Sequence, residues 1–579
     1  MTATELSRTS APVDSAASDW WKSAVVYQVY PRSFADSNGD GVGDLRGLIE
    51  HLDHIAGLGV DVIWLSPMYP SPQADNGYDI SDYRDVDPTF GTLADMDELI
   101  RQVHARGMKI ILDLVVNHTS DEHPWFQSSR SSRTGERADW YIWRDPRPGV
   151  EPGTPGAEPN NWGSFFSGPA WTWVPERGQY YLHLFAAKQP DLNWDCPEVR
   201  AEVFATMRWW LDRGVDGFRM DVINFISKDP ALPDGPLTST GLGDGSGSFA
   251  YGPRVHEYLA EMKDVVFTGR DADCLTVGEM PNVTPEQALR FTDCETGQLC
   301  MVFQFEHVDL DQDGSKWAPR PVSVVDLKTS LGRWQRAMGD RGWNSLYWNN
   351  HDQPRVVSRF GDDRQHWYES ATALATVLHL HRGTPYIYQG EELGMTNAPF
   401  ERIEDFRDIE STRYYETAVL ERGADADEVL AALRRKGRDN ARTPVQWTAG
   451  AGAGFTTGEP WIPVNPNHVW LNAAAQRDDP ASVYAYYRRL VDLRHRDPVV
   501  VHGDFTMLQP EHPTLYAFAR CLDGARLAVY ANLSGEPLEV DVELPDRAAT
   551  TVLTNLTTSG PWDGHLLPWE VRVLRSDVP

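Results

Sequence analysis

The sequence predicts an α/β protein: a (β/α)8 TIM barrel with a subdomain inserted after its third strand and an antiparallel β-domain at the C-terminus. Three observations predict it. Eight short apolar runs recur along the 579 residues, and most are followed by a stretch of helical spacing. Beyond about Pro498 that rhythm gives way to short alternating runs.

In chain order the runs are AVVYQVYPRSF (24–34), VDVIWLSPMY (60–69), KIILDLVVNH (109–118) and VDGFRMDVI (215–223), then CLTVGEM (274–280), QLCMVFQFE (298–306), NSLYWNNHD (344–352) and TPYIYQGEELG (384–394). They are near-continuously apolar, as strands covered on both faces must be. Between them, TLADMDELIRQVHARG and PEVRAEVFATMRWWLDRG carry apolar residues at helical spacing and end on Gly, a helix stop. Residues 119–190 are rich in Trp, Pro, Gly and Ser and too long for a βα loop, so they form the insertion, on the catalytic face. PLTSTGLGDGSGSFAYGP (236–253) reads as a mobile loop after strand four. DFTML, TLYAFAR, RLAVYANL, TTVLTNL and WEVRVL predict the closing β-domain. The expected division is a disordered tail over 1–18, barrel over 19–118 and 191–497, insertion over 119–190 and C-terminal domain over 498–579.

Acidic residues outnumber basic ones by 84 to 53, a net charge of -31 that would repel nucleic-acid phosphates and anionic membranes, so neither is an expected partner. The N-terminus lacks an apolar signal-peptide core, and no apolar run reaches about 18 residues, so no transmembrane helix is expected. Five cysteines without a C-x-x-C pair suit a reducing cytosol and give neither a zinc site nor a disulfide framework. The expectation is a cytoplasmic monomer or weak homo-oligomer with a small-molecule substrate and no organic cofactor.

Chemistry in such a barrel sits at the C-terminal ends of its strands. Strand three ends with Asp113, Asn117 and His118, strand four carries Arg219 and Asp221, strand five ends in Glu279, and strand seven ends in His351-Asp352. Acids from three different strands thus converge on one mouth. Arg219 and Asp221 are two apart on a strand and share a face, so the guanidinium is expected to lower the Asp221 pKa, as a nucleophile requires. Glu279 ends an apolar strand, where burial can keep it protonated as a general acid. Asp352 can hold sugar hydroxyls and favour a distorted transition state. Two carboxyls of opposed protonation are what retaining glycoside hydrolysis uses.

The set DLVVNH (113–118), GFRMD (217–221), GEM (278–280) and NNHD (349–352), in that order, resembles glycoside hydrolase family 13, the α-amylase family, over essentially residues 20–579. The resemblance implies Asp221 as nucleophile, Glu279 as acid/base and Asp352 as transition-state stabiliser, with His118, Arg219 and His351 holding the glucosyl ring. QPDLN (189–193), VNHTSDEHPWF (116–126), GFRMDVINFISK (217–228) and RDNARTPVQW (438–447) are similar to the oligo-1,6-glucosidase and α-glucosidase branch. There the Asp of DNGY (Asp75) and the Arg of ARTP (Arg442) are expected to pair across the pocket bottom, with Tyr78 stacking on the terminal sugar. A bidentate Asp–Arg contact to the distal hydroxyl would block chain continuation and make the enzyme exo-acting. Phe185 and Gln189 are expected to line the same pocket. Val222, after the nucleophile, resembles branch members that accept α-1,6 linkages.

DSNGDGVGD (36–44) sets Asp36, Asn38, Asp40 and Asp44 around glycines, like the first half of an EF-hand loop. Position twelve, where a bidentate Glu belongs, is Gly47, which excludes a full EF-hand. The resemblance implies a structural Ca2+ (or Mg2+) here, with Val42 offering its carbonyl; an Asx-rich turn without metal is the plainer reading. The competing functions are a family-13 transglucosylase or isomerase (sucrose isomerase, trehalose synthase), an α-1,4-preferring α-glucosidase, a transporter-associated binding protein and an unrelated metal-dependent barrel hydrolase. FEHVDLDQDGSKW (305–317) lacks the arginines of the sucrose-isomerase RLDRD motif, which favours hydrolysis. Taken together, the sequence points to an exo-acting, retaining α-glucosidase preferring α-1,6 linkages, with some transglucosylation.

Overall fold

The computed structural model describes residues 15–270, 274–541, 549–556 and 562–577. Each of the eight apolar runs contains a strand of one parallel sheet: β1 (Val26–Val29), β2 (Val62–Leu65), β3 (Lys109–Val115), β7 (Gly217–Asp221), β8 (Leu275–Glu279), β9 (Met301–Phe303), β10 (Ser345–Leu346) and β11 (Thr384–Tyr388). Their order is β10-β11-β1-β2-β3-β7-β8-β9, and a parallel bridge between Val302 and Asn344 joins the two ends, so the sheet closes into a barrel. Side chains alternate across each strand. Val26, Val62, Trp64, Ile111, Val277, Met301, Phe303 and Tyr386 fill the interior. Tyr27, Val29, Ile63, Leu65, Ile110 and Leu112 face the helix ring. With both faces buried, the strands read as continuous apolar runs.

Local signals place the helices. Thr92 and Asp95 form a capping box at the start of Leu93–Ala105, and Pro197 opens Pro197–Asp212 at the position where its missing N–H costs nothing. Inside the insertion, β4 (Trp143–Arg144), β5 (Trp171–Val174) and β6 (Gln179–Leu182) make an antiparallel sheet in the order β4-β6-β5. The bridge His118–Asp191 fastens the returning chain to the segment just after β3, and Tyr141–Leu192 ties the body of the insertion to the same return.

Segment 236–253 departs from the expected mobile loop. Gly243 bridges Trp162, Phe249 packs edge-on against the Trp162 ring at 5.5 Å, and a Cβ on Gly245 would come within 2.5 Å of that ring. The glycines that suggested looseness are there to let the backbone lie against tryptophan. Of the expected tail, residues 1–14 lie outside the described residues, whereas Ser15–Lys22 forms 3-10 turns that meet at a kink at Asp19.

The C-terminal domain begins at Asp504, a few residues later than expected, because Pro498–His502 is a short helix. Strands β12 (Asp504–Leu508), β13 (Leu515–Leu522), β14 (Ala525–Asn532), β16 (Thr550–Thr554) and β18 (Val571–Asp577) form one antiparallel sheet, beside the pair β15 (Leu538–Glu539) and β17 (His565–Leu566). Two buried cations pin it to the barrel through carbonyl oxygens. Lys328 donates to Gln509, His512 and Leu515, and Arg520 donates to Leu380, Val500 and Gly503. Among the described residues no helix is long and apolar enough to cross a membrane.

Candidate active site

The catalytic ends of β3, β7 and β8 bring three carboxyls onto one guanidinium. Arg219 Nη1 lies 2.7 Å from both Asp113 Oδ1 and Asp221 Oδ1, and Nη2 lies 2.6 Å from Glu279 Oε1. Arg219 is held over the Trp64 ring at 5.1 Å, and the other Asp113 oxygen accepts from Trp64 Nε1 and the Tyr78 hydroxyl. Asp221 and Glu279 thus sit on the two Nη atoms of one guanidinium, facing one another across it, the pair of neighbouring carboxyls that retaining hydrolysis uses.

Protonation follows from burial and this three-to-one charge ratio. Burial raises Glu279 to about 8, with Arg219 opposing and the Asp221 and Asp352 charges adding to the rise. Asp221 is also raised, to about 6, because burial and the neighbouring Asp113 outweigh Arg219. That corrects the expectation of a lowered Asp221: the guanidinium is shared among three acids and cannot lower them all. The order is still the useful one, since near neutrality Asp221 is ionised while Glu279 holds its proton.

Asp352 belongs to a second cluster. Its Oδ1 lies 2.8 Å from Arg442 Nη2 and 3.3 Å from Arg438 Nη1. Burial alone would raise Asp352, but His351 and the two guanidiniums hold its carboxyl well below the usual range. Buried Asp408 braces both arginines, 2.5 Å from Arg442 Nη1 and 2.9 Å from Arg438 Nη2. Asp75 pairs with Arg438 Nη2 at 3.1 Å, not with Arg442. This corrects the Asp75–Arg442 pair. The two arginines lie four apart on the turn Asp439–Arg442 and its N-cap, and Arg442 is turned to Asp352, Asp408 and the His351 carbonyl instead. Burial raises Asp75 to about 7 against the pull of Arg438.

The remaining predicted side chains gather around these clusters. Tyr78 stacks on His351 (5.0 Å, 5° between planes), whose Nδ1 accepts from the Gln28 amide, and burial lowers His351 to about 3. Gln189 bonds Asp75 Oδ2 at 3.0 Å, and Phe185 lies 5.1 Å from the His118 ring. Val222 sits at φ +34°, a costly conformation for a β-branched residue, and its N–H donates to Glu279 Oε2 at 3.2 Å. Sequence reasoning missed Arg438, Asp408 and Lys228. Arg438 and Lys228 stood in motifs already singled out, while Asp408 carried no motif.

The first βα loop gathers no metal-type cluster: among the described residues no group of three or more His, Cys, Asp or Glu is placed to hold an ion. Asp36 accepts from Asn38, Gly39, Gly41 and the Thr456 hydroxyl, and Asp44 caps Leu45–Glu50 and accepts from Ser37. Asn38 and Asp40 each accept one backbone N–H, from Asp40 and Val42, which leaves them lone pairs for an oxygen-seeking cation.

A closed barrel with an ionised and a protonated carboxyl on one guanidinium at its catalytic end, and a third acid held ionised near them, is the arrangement of a glycoside hydrolase. The sequence profile described as "Alpha amylase, catalytic domain" matches residues 28–503, and a profile of unknown function, DUF3459, matches 504–573. The chain belongs to the α-amylase catalytic-domain family. It is 52% identical over 569 residues to an oligo-1,6-glucosidase of Parageobacillus thermoglucosidasius, covering 97% of this chain and 99% of that one. Among solved structures it resembles trehalose-6-phosphate hydrolase of Bacillus licheniformis (TM-score 0.90, 45% identity, 96% of this chain and 99% of that one). It likewise resembles trehalulose synthase of Pseudomonas mesoacidophila (TM-score 0.90, 44% identity, 96% and 99%).

Proposed function

We propose that this glycoside hydrolase is an exo-acting, retaining α-glucosidase that releases glucose from the non-reducing end of short α-glucosides, prefers α-1,6 linkages and transfers some glucose to sugar acceptors. The observation that carries the chemistry is the seating of Asp221 and Glu279 on one guanidinium, with Asp221 the more acidic of the two. Glu279 gives its proton to the glycosidic oxygen as Asp221 attacks the anomeric carbon, breaking the bond and forming a glycosyl ester. The Glu279 carboxylate then takes a proton from water, whose oxygen displaces Asp221 and restores the configuration. Ionised Asp352 favours the cationic transition state. Asp75 and Arg438 together support an exo mode, because a paired acid and guanidinium can bind a terminal hydroxyl.

The charge distribution favours a neutral sugar over a phosphorylated one. Lys228 is paired with Asp191, Lys316 with Glu410, and Arg438 and Arg442 with Asp408 and Asp352, so each of these cations already has its anion. An isomerase reading, which the trehalulose synthase likeness invites, gains no support from Asp309 and Gln312, which bond each other at 3.2 Å where that motif has arginines. Purified enzyme should be offered isomaltose, maltose, sucrose, trehalose and trehalose 6-phosphate, with product anomers followed in time. α-Glucose should appear first and isomaltose should be cut fastest. β-Glucose first would overturn retention, and preferential cleavage of the phosphorylated sugar would overturn the substrate class.

We also infer a structural Ca2+ (or Mg2+) in the 36–44 loop. Oxygen-bearing side chains at Asp36, Asn38 and Asp40 alternate around Gly39 and Gly41, both at positive φ, which supports the reading. The Val42 carbonyl and Asp44 would complete the set, with the Thr456 and Ser37 hydroxyls giving way. Chelation should lower Tm without moving the pH optimum; an unchanged Tm after verified metal removal would refute it. A cytoplasmic setting fits the five cysteines without a C-x-x-C pair, and light scattering tests the proposed monomer or weak homo-oligomer.

A further inference from the structure

His118 is a neutral imidazole, since burial lowers it to about 4. What it can offer a sugar hydroxyl depends on which ring nitrogen carries the proton. Its neighbours decide this by elimination. Lys228 Nζ lies 2.7 Å from Asn117 Oδ1 and 2.7 Å from Asp191 Oδ2. An ammonium has donors and no acceptor, so the Asn117 atom facing it has to be the amide oxygen. The amide nitrogen then faces the other way, 3.2 Å from His118 Nδ1 and 3.2 Å from Asp191 Oδ2. An amide NH2 only donates, so His118 Nδ1 accepts and the ring proton sits on Nε2. There the Tyr78 carbonyl accepts it at 3.1 Å. Gln189 Nε2, 3.2 Å from the same ring nitrogen, spends its hydrogens on Asp75 Oδ2 at 3.0 Å and the Tyr78 carbonyl at 3.3 Å, so it leaves Nε2 a donor.

We propose that Lys228 is a positioning residue: by fixing the Asn117 amide it fixes the Nε2–H tautomer of His118, so that the proton the Tyr78 carbonyl now accepts is one a sugar hydroxyl can share. The placement suits the task. Asn117 follows β3, Asp191 lies where the inserted subdomain returns, and Lys228 follows the turn Ile223–Phe225 beyond β7. One buried ammonium therefore ties three separate elements beneath the pocket. Without it the amide can turn over, present its oxygen to Nδ1 and draw the ring proton there, leaving Nε2 an acceptor. The identity of the sugar rests on the α-glucosidase reading; the tautomer does not.

Two variants test it. Lys228→Met removes the ammonium at similar length. Asn117→Asp keeps Lys228 and its ion pair but sets an oxygen against His118 Nδ1, which must then carry a proton. Ring-nitrogen shifts of 15N-histidine-labelled enzyme, with the His118 signals identified by their loss in His118→Gln, read the tautomer directly. Isomaltose kinetics across pH read the consequence. Wild type should show a single Nε2–H ring. Lys228→Met should show mixed tautomers, with KM raised about fivefold and kcat changed by less than about twofold, as loss of one uniform hydrogen bond predicts. Asn117→Asp should protonate Nδ1 and give kcat/KM a new inflection in the histidine range. An Nε2–H ring in both variants with wild-type KM would overturn the proposal. If Lys228→Met does not fold, Asn117→Asp decides alone. Wild-type enzyme inert on every α-glucoside would sink the α-glucosidase reading, while the ring-nitrogen shifts would still judge Lys228.

Discussion

Two arginine-centred clusters line one pocket and do opposite things to their carboxyls. In the first, Arg219 serves Asp113, Asp221 and Glu279, and burial wins: Asp221 rises to about 6 and Glu279 to about 8. In the second, Arg438 and Arg442 serve Asp75, Asp352 and Asp408; Asp352 and Asp408 are held low, and only Asp75 rises, to about 7. Residue types are alike, although Asp352 is the shallowest of the six, its side chain 27% exposed. The second guanidinium contributes to the difference: His351, Arg438 and Arg442 all draw Asp352 down and Asp408 bonds both arginines, whereas Asp75 bonds Arg438 alone. Cation count therefore helps separate acids that must exchange protons from one that must stay charged.

The most severe break is Asp221→Asn, which should lower kcat by about 10^4-fold or more with circular dichroism unchanged. Retained turnover would remove the nucleophile assignment. Next comes Glu279→Gln, expected to cost about 10^2- to 10^4-fold and to erase the alkaline limb of the pH profile. The wild-type profile should be a bell. Activity falls below about 6, where Asp221 becomes protonated, and above about 8, where Glu279 has lost the proton it must donate. Those limbs belong to the coupled group, and Glu279→Gln should leave only the acid one.

The second cluster is broken more gently. Arg438→Gln takes a charged partner from both Asp75 and Asp352 and should lower kcat/KM about 10- to 100-fold. Arg442→Gln leaves Asp75 its partner; if it alone abolished recognition of the terminal sugar, the corrected pairing would be wrong. The smallest effect is expected at Val222. Val222→Thr, which exchanges a methyl for a hydroxyl at constant size, should shift the isomaltose-to-maltose ratio about tenfold, and an unchanged ratio would remove Val222 from linkage choice.

The eight strands were legible because each is buried on both faces and must be apolar throughout, as VIWL (62–65) and TPYIY (384–388) are. Asp221 and Glu279 were legible because each closes such a run, whereas Asp352 stands six residues beyond β10 and was legible through NNHD. The Asp75 partner was not: Arg438 and Arg442 stand one helical turn apart in RDNAR, and a linear motif does not say which reaches across. Nor was the raised Asp221, since two residues of spacing reveal its arginine but not the two other acids drawing on it. Asp408 was invisible for a further reason. It acts by holding arginines from elsewhere in the chain, and such a role leaves no local pattern.

Lys328 and Arg520 bear on where this chain can be cut. The sequence profiles change hands between residues 503 and 504, which invites removal of the last strands as a separate module. Physically the seam is elsewhere. Lys328 belongs to the helix Val324–Met338 yet, among the described residues, donates to Gln509, His512 and Leu515, so truncation would take these three acceptors from a buried ammonium. Arg520 presents the same difficulty from the other side, since its acceptor at Leu380 stays with the barrel. The closing β-domain is thus part of the barrel's own solvent for charge, and evolutionary exchange at that junction would have to carry both cations and their carbonyls across together.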